Sequence, residues 1–456
     1  MDKKEIIRLL EIDKKHIWHP FTQMKDWIED EDVIVIEEGK GIYLKDINGK
    51  KYIDGVSSLW TNVHGHKNKV IDNAIKKQLN KIAHSTMLGL SNVPSIELAE
   101  KLLKIVPNNL KKVFYSDNGS TAVEIGIKIA FQYQQQKGNK NKTKIISFEN
   151  AYHGDTIGSV SVGGIDLFHK IYNPLLFDTI KVPYPFCYRC PKGIGPEICS
   201  MECLEDAKTI IKEHKNDAAA IIIEPIIQGA SGMLTAPHGF LKEISKTAKE
   251  NDILLIVDEV ATGFGRTGKM FAVEHEKVKP DIMALAKGIT GGYLPLAATL
   301  TTEEVFNGFL GDYEEKKTFF HGHTYTGNPL AAAAAIANLE LFENENLIEK
   351  NLPKLDILSL ELDKFHKLKH VGDIRQKGFM IGIELVKNKK TKKNYPEKER
   401  IGHKVIVRAR KYGVIIRPLG DTIIINPPLS ISKREIRKLM KSVYKAIKEI
   451  TEIEQQ

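Results

Sequence analysis

The chain lacks any long apolar segment, although 42% of its 456 residues are hydrophobic. Its strongest apolar runs are the ILLIV that begins at Ile253 and the AAAAAIA that begins at Ala331. Both are far shorter than the roughly 18 residues that a membrane-spanning helix needs. Residues 1–20 alternate charged with apolar side chains and lack the apolar core of a signal peptide. These absences predict a folded cytoplasmic protein without a membrane partner.

A strong excess of one charge is also absent, since 67 Lys and Arg stand against 58 Asp and Glu, a net charge of +9. This balance permits an anionic partner such as nucleic acid. The basic residues, however, are spread along the chain and thicken mainly in residues 137–144 and 387–400, a pattern typical of solvated loops. We therefore expect no nucleic-acid partner and a small phosphorylated or carboxylated ligand.

Cysteine is scarce, and the four cysteines fall in one short segment. Two and three residues separate the members of each pair, a spacing that suits a tetrahedral thiolate site, and a reducing compartment disfavours disulfides. The stretch between the pairs is shorter than in most zinc ribbons. The segment therefore leaves open a zinc or iron–sulfur site and a loop of unligated thiols. The residues are Cys187, Cys190, Cys199 and Cys203.

Alternating apolar runs and helical patterns predict an α/β fold. Residues 33–54 indicate a small antiparallel meander, with a turn at Asn48-Gly49. A helix is expected over residues 95–105, with Ser95 as its cap. From residue 112 the runs KVFYS, KIISF, AAAIIIEP, ILLIVDE and IMALAKG alternate with helical segments. This alternation predicts a mostly parallel sheet with helices on both faces.

Ionisable side chains follow several of these runs. Asp258 ends ILLIVDE, Glu224 ends AAAIIIEP and Lys287 follows IMALA. Ligands bind such sheets beyond the carboxyl ends of their strands, so Asp258 and Lys287 can face one pocket. A buried carboxylate needs a cation or a proton, and a lysine amine is a nucleophile only when its pKa is depressed. The pair suits a cofactor bound through lysine, with its ring nitrogen on the acid.

Other interpretations of these two residues stay open. Asp258 can be a metal ligand or an exposed acid at a strand end, and Lys287 can be an ordinary surface lysine. A Walker-B role for Asp258 is excluded, because the sequence contains no GxxxxGK[ST] motif.

Two further segments carry candidate ligand-binding residues. Gly119 and Ser120 lie in NGST, which follows KVFYS and opens a helix, so they form either a phosphate site or a simple helix cap. Thr324, in HGHTYTGNP, can add a hydroxyl to the same phosphate. Tyr152 follows KIISF and is either an aromatic face that stacks on a flat cofactor or a buried tyrosine.

Together these motifs resemble one known family. DEVATGFGRTGKMFA followed by PDIMALAKGITGG is similar to the signature of the class III (omega) aminotransferases, pyridoxal 5'-phosphate enzymes of fold type I. The resemblance extends over essentially the whole chain. It is closest to the branch that aminates 8-amino-7-oxononanoate in biotin biosynthesis, through the segments WHPFTQMKD at Trp18, NAYHGDT at Asn150, IIEPIIQGASGM at Ile222 and HGHTYTGNPL at His321.

The resemblance implies a mostly parallel seven-stranded sheet in a large domain and a smaller α+β domain. Residues 1–68 would be an N-terminal segment that forms part of the small domain. Residues 69–330 would form the large cofactor-binding domain, and residues 331–456 the C-terminal small domain. The active protein would be a homodimer with its active sites at the subunit interface.

The resemblance also implies the cofactor site. Lys287 would be the catalytic lysine that binds pyridoxal phosphate, and Asp258 would pair with the pyridine nitrogen. The phosphate would lie on Gly119 and Ser120, with Thr324 reaching in from the partner subunit. Other residues around the cofactor would be Tyr152, stacked on its ring, with Asp155, Glu224 and His323.

For the substrate, the resemblance implies that Arg417 binds the carboxylate of the oxononanoate, a role that suits a guanidinium fork. Arg266 would be a second contact. Members of the family that use S-adenosylmethionine as amino donor have tyrosine at the position of Phe21 and a tryptophan pair at Leu59-Trp60, whereas a branch that uses lysine resembles this chain there. The remaining substrate contacts would be Tyr152, Lys287 and Gly322.

Two other functions remain alternatives to a biotin-pathway enzyme that uses S-adenosylmethionine or lysine. The first is another class III aminotransferase, acting on acetylornithine, 4-aminobutyrate or a polyamine. The second is a non-catalytic nucleic-acid-binding protein stabilised by metal at the cysteine cluster.

Overall fold

The structure is a computed structural model and describes residues 1–30, 32–195 and 197–453. Within these ranges no helix is both long enough and apolar enough to cross a bilayer. The strands are β1 (Ile36–Lys40), β2 (Tyr43–Asp46), β3 (Lys51–Asp54), β4 (Leu110–Ser116), β5 (Lys144–Phe148), β6 (Thr179–Val182), β7 (Ala218–Ile223), β8 (Ile227–Gln228), β9 (Leu234–Thr235), β10 (Leu254–Asp258), β11 (Ile282–Leu285), β12 (Ala297–Thr302), β13 (Val371–Lys377), β14 (Met380–Leu385), β15 (Val414–Ile415), β16 (Arg417–Leu419) and β17 (Thr422–Ile425).

Helices connect most of these strands, and short 3-10 turns add to them, including Cys187–Arg189 and Lys287–Thr290. The helices are α1 (Lys3–His16), α2 (Met24–Glu29), α3 (Ser57–Trp60), α4 (Lys69–Leu79), α5 (Val93–Ile105), α6 (Gly119–Gln136), α7 (Ile157–Val162), α8 (Asp166–His169), α9 (Glu202–Glu213), α10 (Phe240–Glu250), α11 (Glu303–Asn307), α12 (Pro329–Asn344), α13 (Leu347–Asp363), α14 (Ile401–Lys411) and α15 (Lys433–Lys448).

A seven-stranded sheet forms the centre of the molecule, in the order β4-β12-β11-β10-β7-β5-β6. Only β12 runs against its neighbours, so the predicted mostly parallel sheet is confirmed. Every residue of β7 and β11 is buried, as expected for apolar strands covered on both faces. The carboxyl ends of β4, β5, β7, β10 and β11 therefore share one edge of the sheet.

Two apolar layers lie on opposite faces of this sheet. On β10, Ile256 belongs to the layer beneath α6, whereas Leu255 and Val257 belong to the larger layer on the other face. Helix α6 packs against β7, β10, β11 and β12, while α10 packs against β10 and α9 against β6. The side chains alternate between the two layers because successive residues of a strand point to opposite faces.

Two smaller sheets flank the central one. The predicted N-terminal meander is confirmed as β1-β2-β3, and β15 joins it by pairing in parallel with β3, where Val414 lies opposite Ile53. Strands β13, β14, β17 and β16 form an antiparallel sheet. Segments from the two ends of the chain thus share a sheet. The division at residues 68 and 330 stays a prediction.

The start of α5 differs from the prediction. Helix α5 begins at Val93, and its cap is Asn92, whose side chain accepts a hydrogen bond of 3.0 Å from the Ser95 amide. The prediction of Ser95 as the cap is wrong because Pro94, which has no N–H to offer, fits the first turn of the helix and so moves the cap in front of it.

Candidate active site

Lys287 lies at the floor of a cavity of about 720 Å³, here named the lysine cleft, which is also lined by Trp60, Ser120, Tyr152 and Asp258. Its backbone is left-handed, with φ of 47°, a strained conformation often found at functional positions. The Lys287 amine lies 4.7 Å from the centre of the Trp60 ring. The structure therefore places the predicted lysine and the predicted acid in one cavity.

The surroundings of Lys287 lower its pKa below the ordinary lysine value. The largest cause is loss of contact with water, which disfavours the ammonium form, and the Arg266 guanidinium adds to it. The carboxylates of Asp258, Glu224 and Asp155 act in the opposite direction. A lysine in such a setting is available as a neutral amine closer to physiological pH.

Asp258 is buried at the carboxyl end of β10 and has two protein partners. One carboxylate oxygen lies 2.7 Å from Nδ1 of His153, and the other accepts a 3.0 Å hydrogen bond from the Val260 amide. Nε2 of His153 is buried and has no hydrogen-bond partner among the described residues. The acid is thus fixed on its inner side and faces the lysine cleft, where a cationic ring nitrogen would compensate its charge.

His153 was not identified from the sequence as the partner of Asp258. The available signal was its place between two candidate residues, in the Tyr152–Asp155 segment that follows β5.

Glu224 follows β7 and supports the loop that carries Tyr152. Its two carboxylate oxygens accept hydrogen bonds of 3.1 Å from the Tyr152 amide and 3.0 Å from the Gly229 amide. Burial raises the pKa of Glu224 to about 7, and the nearby Asp258 charge adds to the rise. The residue therefore positions Tyr152 through the backbone.

We expect the Glu224 carboxyl to make stability depend on pH. Because its folded pKa is raised, the stability it contributes is fully present below about pH 4.5 and is lost as the pH rises through about 7. The free energy of unfolding of the wild type should therefore fall between pH 4.5 and pH 8, by up to about 3 kcal/mol from this one group. In Glu224→Gln this part of the decrease should be absent. Denaturant unfolding at several pH values measures it.

The matched control for this prediction is Glu250→Gln, since Glu250 is exposed at the end of α10. A Glu224→Gln protein whose stability falls with pH as steeply as that of the wild type would contradict the assignment.

Tyr152 and Asp155 lie together, as predicted. The Tyr152 hydroxyl donates a 2.7 Å hydrogen bond to Asp155, and burial together with this carboxylate raises the pKa of the tyrosine. The hydroxyl thus stays protonated at physiological pH, and its ring lines the lysine cleft.

The first turn of α6 forms an anion cradle at the other end of the cleft. Asn118 caps the helix by accepting from the Thr121 amide, while the amides of Gly119 and Ser120 have no partner in the described part of the chain. A Cβ added at Gly119 would lie 2.5 Å from Val260. A bare backbone and free amides at a helix N-terminus are what a phosphate group requires.

Gly154 shapes the same cradle. Its φ is 124°, and a Cβ there would lie 2.3 Å from Oγ of Ser120. That hydroxyl also lies 2.8 Å from the Thr156 hydroxyl and accepts from the Thr156 amide at 3.0 Å. The cradle, the Asp258 carboxylate and the Lys287 amine therefore fit the three ends of pyridoxal phosphate.

The Gly322–Thr324 segment does not enter the lysine cleft of its own chain. Gly322 and Thr324 are exposed, and neither lines the cleft. The ring of His323 lies 2.7 Å from Asp117, which does line it. The contact of Thr324 with a phosphate in the partner subunit stays a prediction.

A second cavity, of about 1360 Å³, is here named the arginine cleft and is lined by Phe21, Leu59 and Arg417 among others. Burial lowers the pKa of Arg417, and Tyr152 is the neighbour that opposes this effect. Within the described ranges, burial and Tyr152 are the influences on the Arg417 guanidinium, with no hydrogen bond or ion pair among them. The guanidinium is thus available for a ligand carboxylate.

An aromatic cluster that the sequence did not reveal joins the two clefts. Phe168 contacts Phe21 edge to face at 5.3 Å between ring centres, and Tyr152 at 6.3 Å. The His169 ring lies parallel to that of Tyr152. Since α8 has only four residues, no periodic pattern marks Phe168 in the sequence. Phe168 and Phe21 thus form an apolar wall between Tyr152 and the surface.

Arg266, predicted as a second substrate contact, lies outside both clefts and is buried. Its guanidinium donates to Ser57 Oγ at 3.0 Å, to the Pro427 carbonyl at 2.9 Å and to the Asn62 carbonyl at 2.7 Å. The predicted contact of Arg266 with the substrate stays a prediction. The arginine is committed to protein partners and acts on the site through its charge.

The four cysteines form no disulfide, and Cys187 is exposed. Burial raises the pKa of both Cys187 and Cys203, with neighbouring cysteines adding to the rise. No group of three or more His, Cys, Asp or Glu side chains in residues 1–30, 32–195 and 197–453 is placed to hold a metal ion. The two interpretations of this segment, a metal site and a loop of unligated thiols, stay predictions.

This loop has a structural contact of its own. Arg189, between the first two cysteines, donates a 2.7 Å hydrogen bond to Glu384 on β14.

Comparison with known proteins shows one family throughout. The Aminotransferase class-III family model matches residues 27–447. Two relatives share the name adenosylmethionine-8-amino-7-oxononanoate aminotransferase. The one from Nitratidesulfovibrio vulgaris is 53% identical over 98% of this chain and 82% of its own length. The one from Aquifex aeolicus is 55% identical over 96% of each chain.

Solved structures agree with the sequence comparisons. The crystal structure of the enzyme with that name from Methanocaldococcus jannaschii has a TM-score of 0.93 and 50% identity, covering 97% of this chain and 99% of the other. An omega transaminase from Pseudomonas jessenii in complex with PMP has a TM-score of 0.92 and 33% identity, over 97% of this chain and 98% of the other.

Proposed function

Because the chain belongs to the class III aminotransferases, we propose that it aminates the ketone of 8-amino-7-oxononanoate to 7,8-diaminononanoate, with S-adenosylmethionine as amino donor. The chain is a transaminase of fold type I, and its cofactor is pyridoxal phosphate. The observation that carries the proposed substrate is the unpaired Arg417 guanidinium beside Tyr152, in a chain about half identical to relatives with that activity in their name.

The lysine cleft supports the cofactor through three sets of residues. Gly119 and Ser120 would hold its phosphate, Asp258 its ring nitrogen and Lys287 its carbonyl carbon. When bound, pyridoxal phosphate supplies an electron sink for negative charge at the carbon that loses a proton. His153 keeps Asp258 oriented, since the 2.7 Å contact holds one carboxylate oxygen in place.

Lys287 would move the protons of the reaction. Its Nζ takes the proton from the amino-bearing carbon of the donor and later delivers a proton to the former ketone carbon of the acceptor. The depressed pKa of Lys287 supplies the neutral amine that the first transfer requires. The nearby carboxylates of Asp258 and Glu224 stabilise the ammonium form that the second transfer requires.

Arg417 would orient the acceptor by its carboxylate. The aliphatic part of the acceptor would then lie along the apolar wall of Phe21 and Phe168. Both of these side chains are hydrocarbon, so the wall leaves no hydrogen-bonding group without a partner. A guanidinium fork fixes both carboxylate oxygens and so anchors the far end of the acceptor, from which its aliphatic chain would extend toward Lys287.

We expect Arg417→Met to raise KM for 8-amino-7-oxononanoate by roughly tenfold to a hundredfold, because a charge-assisted pair is lost. The half-reaction with the amino donor should change far less. Steady-state kinetics with each substrate varied in turn measures the two effects. Arg410→Met is the matched control, since Arg410 lines the same cleft but faces Asp30, Asp32 and Tyr52. Equal effects in the two variants would contradict the role.

The two half-reactions test the proposed function directly. The holoenzyme is mixed with S-adenosylmethionine alone or lysine alone, and loss of the visible absorbance of the bound cofactor is followed by stopped flow. The enzyme whose cofactor has taken up the amino group is then mixed with 8-amino-7-oxononanoate or with the acceptors of acetylornithine, 4-aminobutyrate and polyamine transamination. Rapid loss of the absorbance with S-adenosylmethionine, and its rapid return with 8-amino-7-oxononanoate, support the proposal. A faster loss with lysine would identify lysine as the donor. A faster return with one of the other acceptors would identify that acceptor as the substrate.

The active unit would be a homodimer in the cytoplasm, where the four cysteines stay reduced. Leu88, Leu90 and Tyr325 are 89%, 63% and 60% exposed. The segment that carries the two leucines packs against the segment that carries Tyr325. The His84 and Tyr325 rings lie 4.8 Å apart, and Asn92 donates to the Gly327 carbonyl at 3.0 Å. A second copy that covers this apolar patch would also bring in the exposed Thr324 beside it.

We expect the double substitution Leu88→Asp and Leu90→Asp to convert the dimer into 51.3 kDa chains, since two buried charges oppose association. Activity should fall with it, because Thr324 would act across the interface. Light scattering after gel filtration measures the mass. Leu360→Asp, on the exposed face of α13, is the control. A dimeric double variant would show that the interface lies elsewhere.

A further inference from the structure

The four residues of the segment named α3 above, Ser57 to Trp60, form a left-handed turn and not a regular right-handed helix. Their φ angles are 52°, 48°, 70° and 67°. None of them is glycine, and L residues adopt this backbone only when their surroundings compensate for the strain. The sequence SSLW gives no local reason for the conformation. The cause must therefore be found in the contacts of the turn.

Two buried charged groups hold this turn in place. Asp54 accepts hydrogen bonds from the Ser58 amide at 2.8 Å and the Ser58 hydroxyl at 2.7 Å. Arg266 donates to Ser57 Oγ, and Ser57 donates to the Asn426 carbonyl at 2.7 Å. The turn is thus tied to β3 on one side and to the end of β17 on the other.

The turn fixes the position of the Trp60 ring. The ring is buried, a Cβ on Gly229 would lie 2.9 Å from it, and the Lys287 amine lies 4.7 Å from its centre. The indole N–H has no hydrogen-bond partner among the described residues. The ring therefore does not owe its position to a hydrogen bond of its own, and its face is directed at the lysine.

We propose that Trp60 is a positioning residue for Lys287. The indole face of Trp60 holds the ammonium form of the lysine whenever the lysine amine is free. This inference rests on the role proposed above for Lys287. Indole is the aromatic group that binds cations best, and the interaction strengthens away from water. The left-handed turn places the ring at the required distance.

The reaction gives this contact a purpose. Lys287 must exist as a neutral amine for one proton transfer and as an ammonium for the other. Arg266 and desolvation disfavour the ammonium, while Asp258, Glu224 and Asp155 favour it. The indole offsets part of the Arg266 repulsion without adding a negative charge to the cleft. It also directs the amine, since a cation is attracted to the ring face and not to its edge.

The first test measures the Lys287 amine itself. In the pyridoxamine phosphate form of the enzyme the lysine is free, and pulse labelling with acetic anhydride at a series of pH values, read by mass spectrometry, gives its pKa. We expect Trp60→Phe and Trp60→Leu to lower that pKa, the latter by about half to one and a half pH units. Trp18→Phe, at an exposed tryptophan, is the control.

The direction of the change decides between two roles. If Trp60 only covers the lysine, its truncation admits water and the pKa of Lys287 rises or stays unchanged, and the proposal is overturned. Because labelling reports on the amine and not on turnover, a failure here is distinguishable from a failure of the proposed reaction.

A second measurement keeps Trp60 intact, in case its variants fold poorly. The chain has three tryptophans, so Trp18→Phe combined with Trp27→Phe leaves Trp60 as the sole indole. Its emission should titrate with the labelling pKa of Lys287, because the ammonium quenches it, and the titration should vanish in a further Lys287→Met variant. Emission that is independent of Lys287 would overturn the proposal.

Discussion

Lys287→Ala is expected to lower kcat by about 10⁴-fold or more, because one side chain supplies both the covalent attachment and the proton transfers. The variant should still bind pyridoxal phosphate, since the phosphate cradle and Asp258 are untouched. Borohydride treatment followed by mass spectrometry should fix the cofactor on the wild type and leave the variant unlabelled.

The matched control for this variant is Lys354→Ala. Burial lowers the pKa of Lys354 to about 8, and its amine donates to the Leu429 carbonyl at 2.9 Å. Lys354 lines neither cleft. It should keep near-wild-type kcat and remain fixable by borohydride. Wild-type turnover by Lys287→Ala would refute the assigned role of the lysine.

Asp258→Asn should lower kcat/KM by roughly 10² to 10⁴-fold. Breaking a buried ionic contact costs about 3–5 kcal/mol, and every 1.36 kcal/mol in the barrier is about tenfold in rate. An amide at this position does not compensate the charge of a ring cation. Stopped-flow rates of both half-reactions should fall together, because each passes through the same electron-withdrawing ring.

Asp281→Asn separates this effect from a general loss of stability. Asp281 is another largely enclosed carboxyl of the same sheet, with a raised pKa, and it accepts from the Leu255 amide at 2.8 Å. It lies before β11, at the opposite edge of the sheet from the cofactor. Its variant should lose stability and keep kcat. Similar kcat losses in the two variants would contradict a specific role of Asp258 in catalysis.

The sequence predicts the parts of the site that depend on strand ends. Asp258 and Lys287 follow apolar runs, and parallel strands bring their carboxyl ends to one edge, so their meeting in the lysine cleft follows from the pattern. Gly119 and Ser120 are found in the same way, because a helix start after a strand is visible in the sequence. The mostly parallel sheet that the alternation predicts is confirmed, as are the seven strands that the family resemblance implies.

Side-chain partners chosen by tertiary packing are not visible in this way. Arg266 lies in a glycine-rich loop that suggests a ligand, yet its bonds go to Ser57, Asn62 and Pro427, which are distant in sequence. His153 turns inward to Asp258, and Phe168 joins two predicted substrate residues from a four-residue helix.

The pairing of β3 with β15 has a consequence for synthesis on the ribosome. Ile53 cannot meet Val414, and Arg266 cannot bridge Ser57 to Asn426, until almost the whole chain has emerged. A nascent chain that already carries Lys287 thus lacks the fixed Trp60 turn, and such non-local contacts form late. The cleft matures only around release, so chains truncated before residue 414 should bind the cofactor poorly and stay inactive.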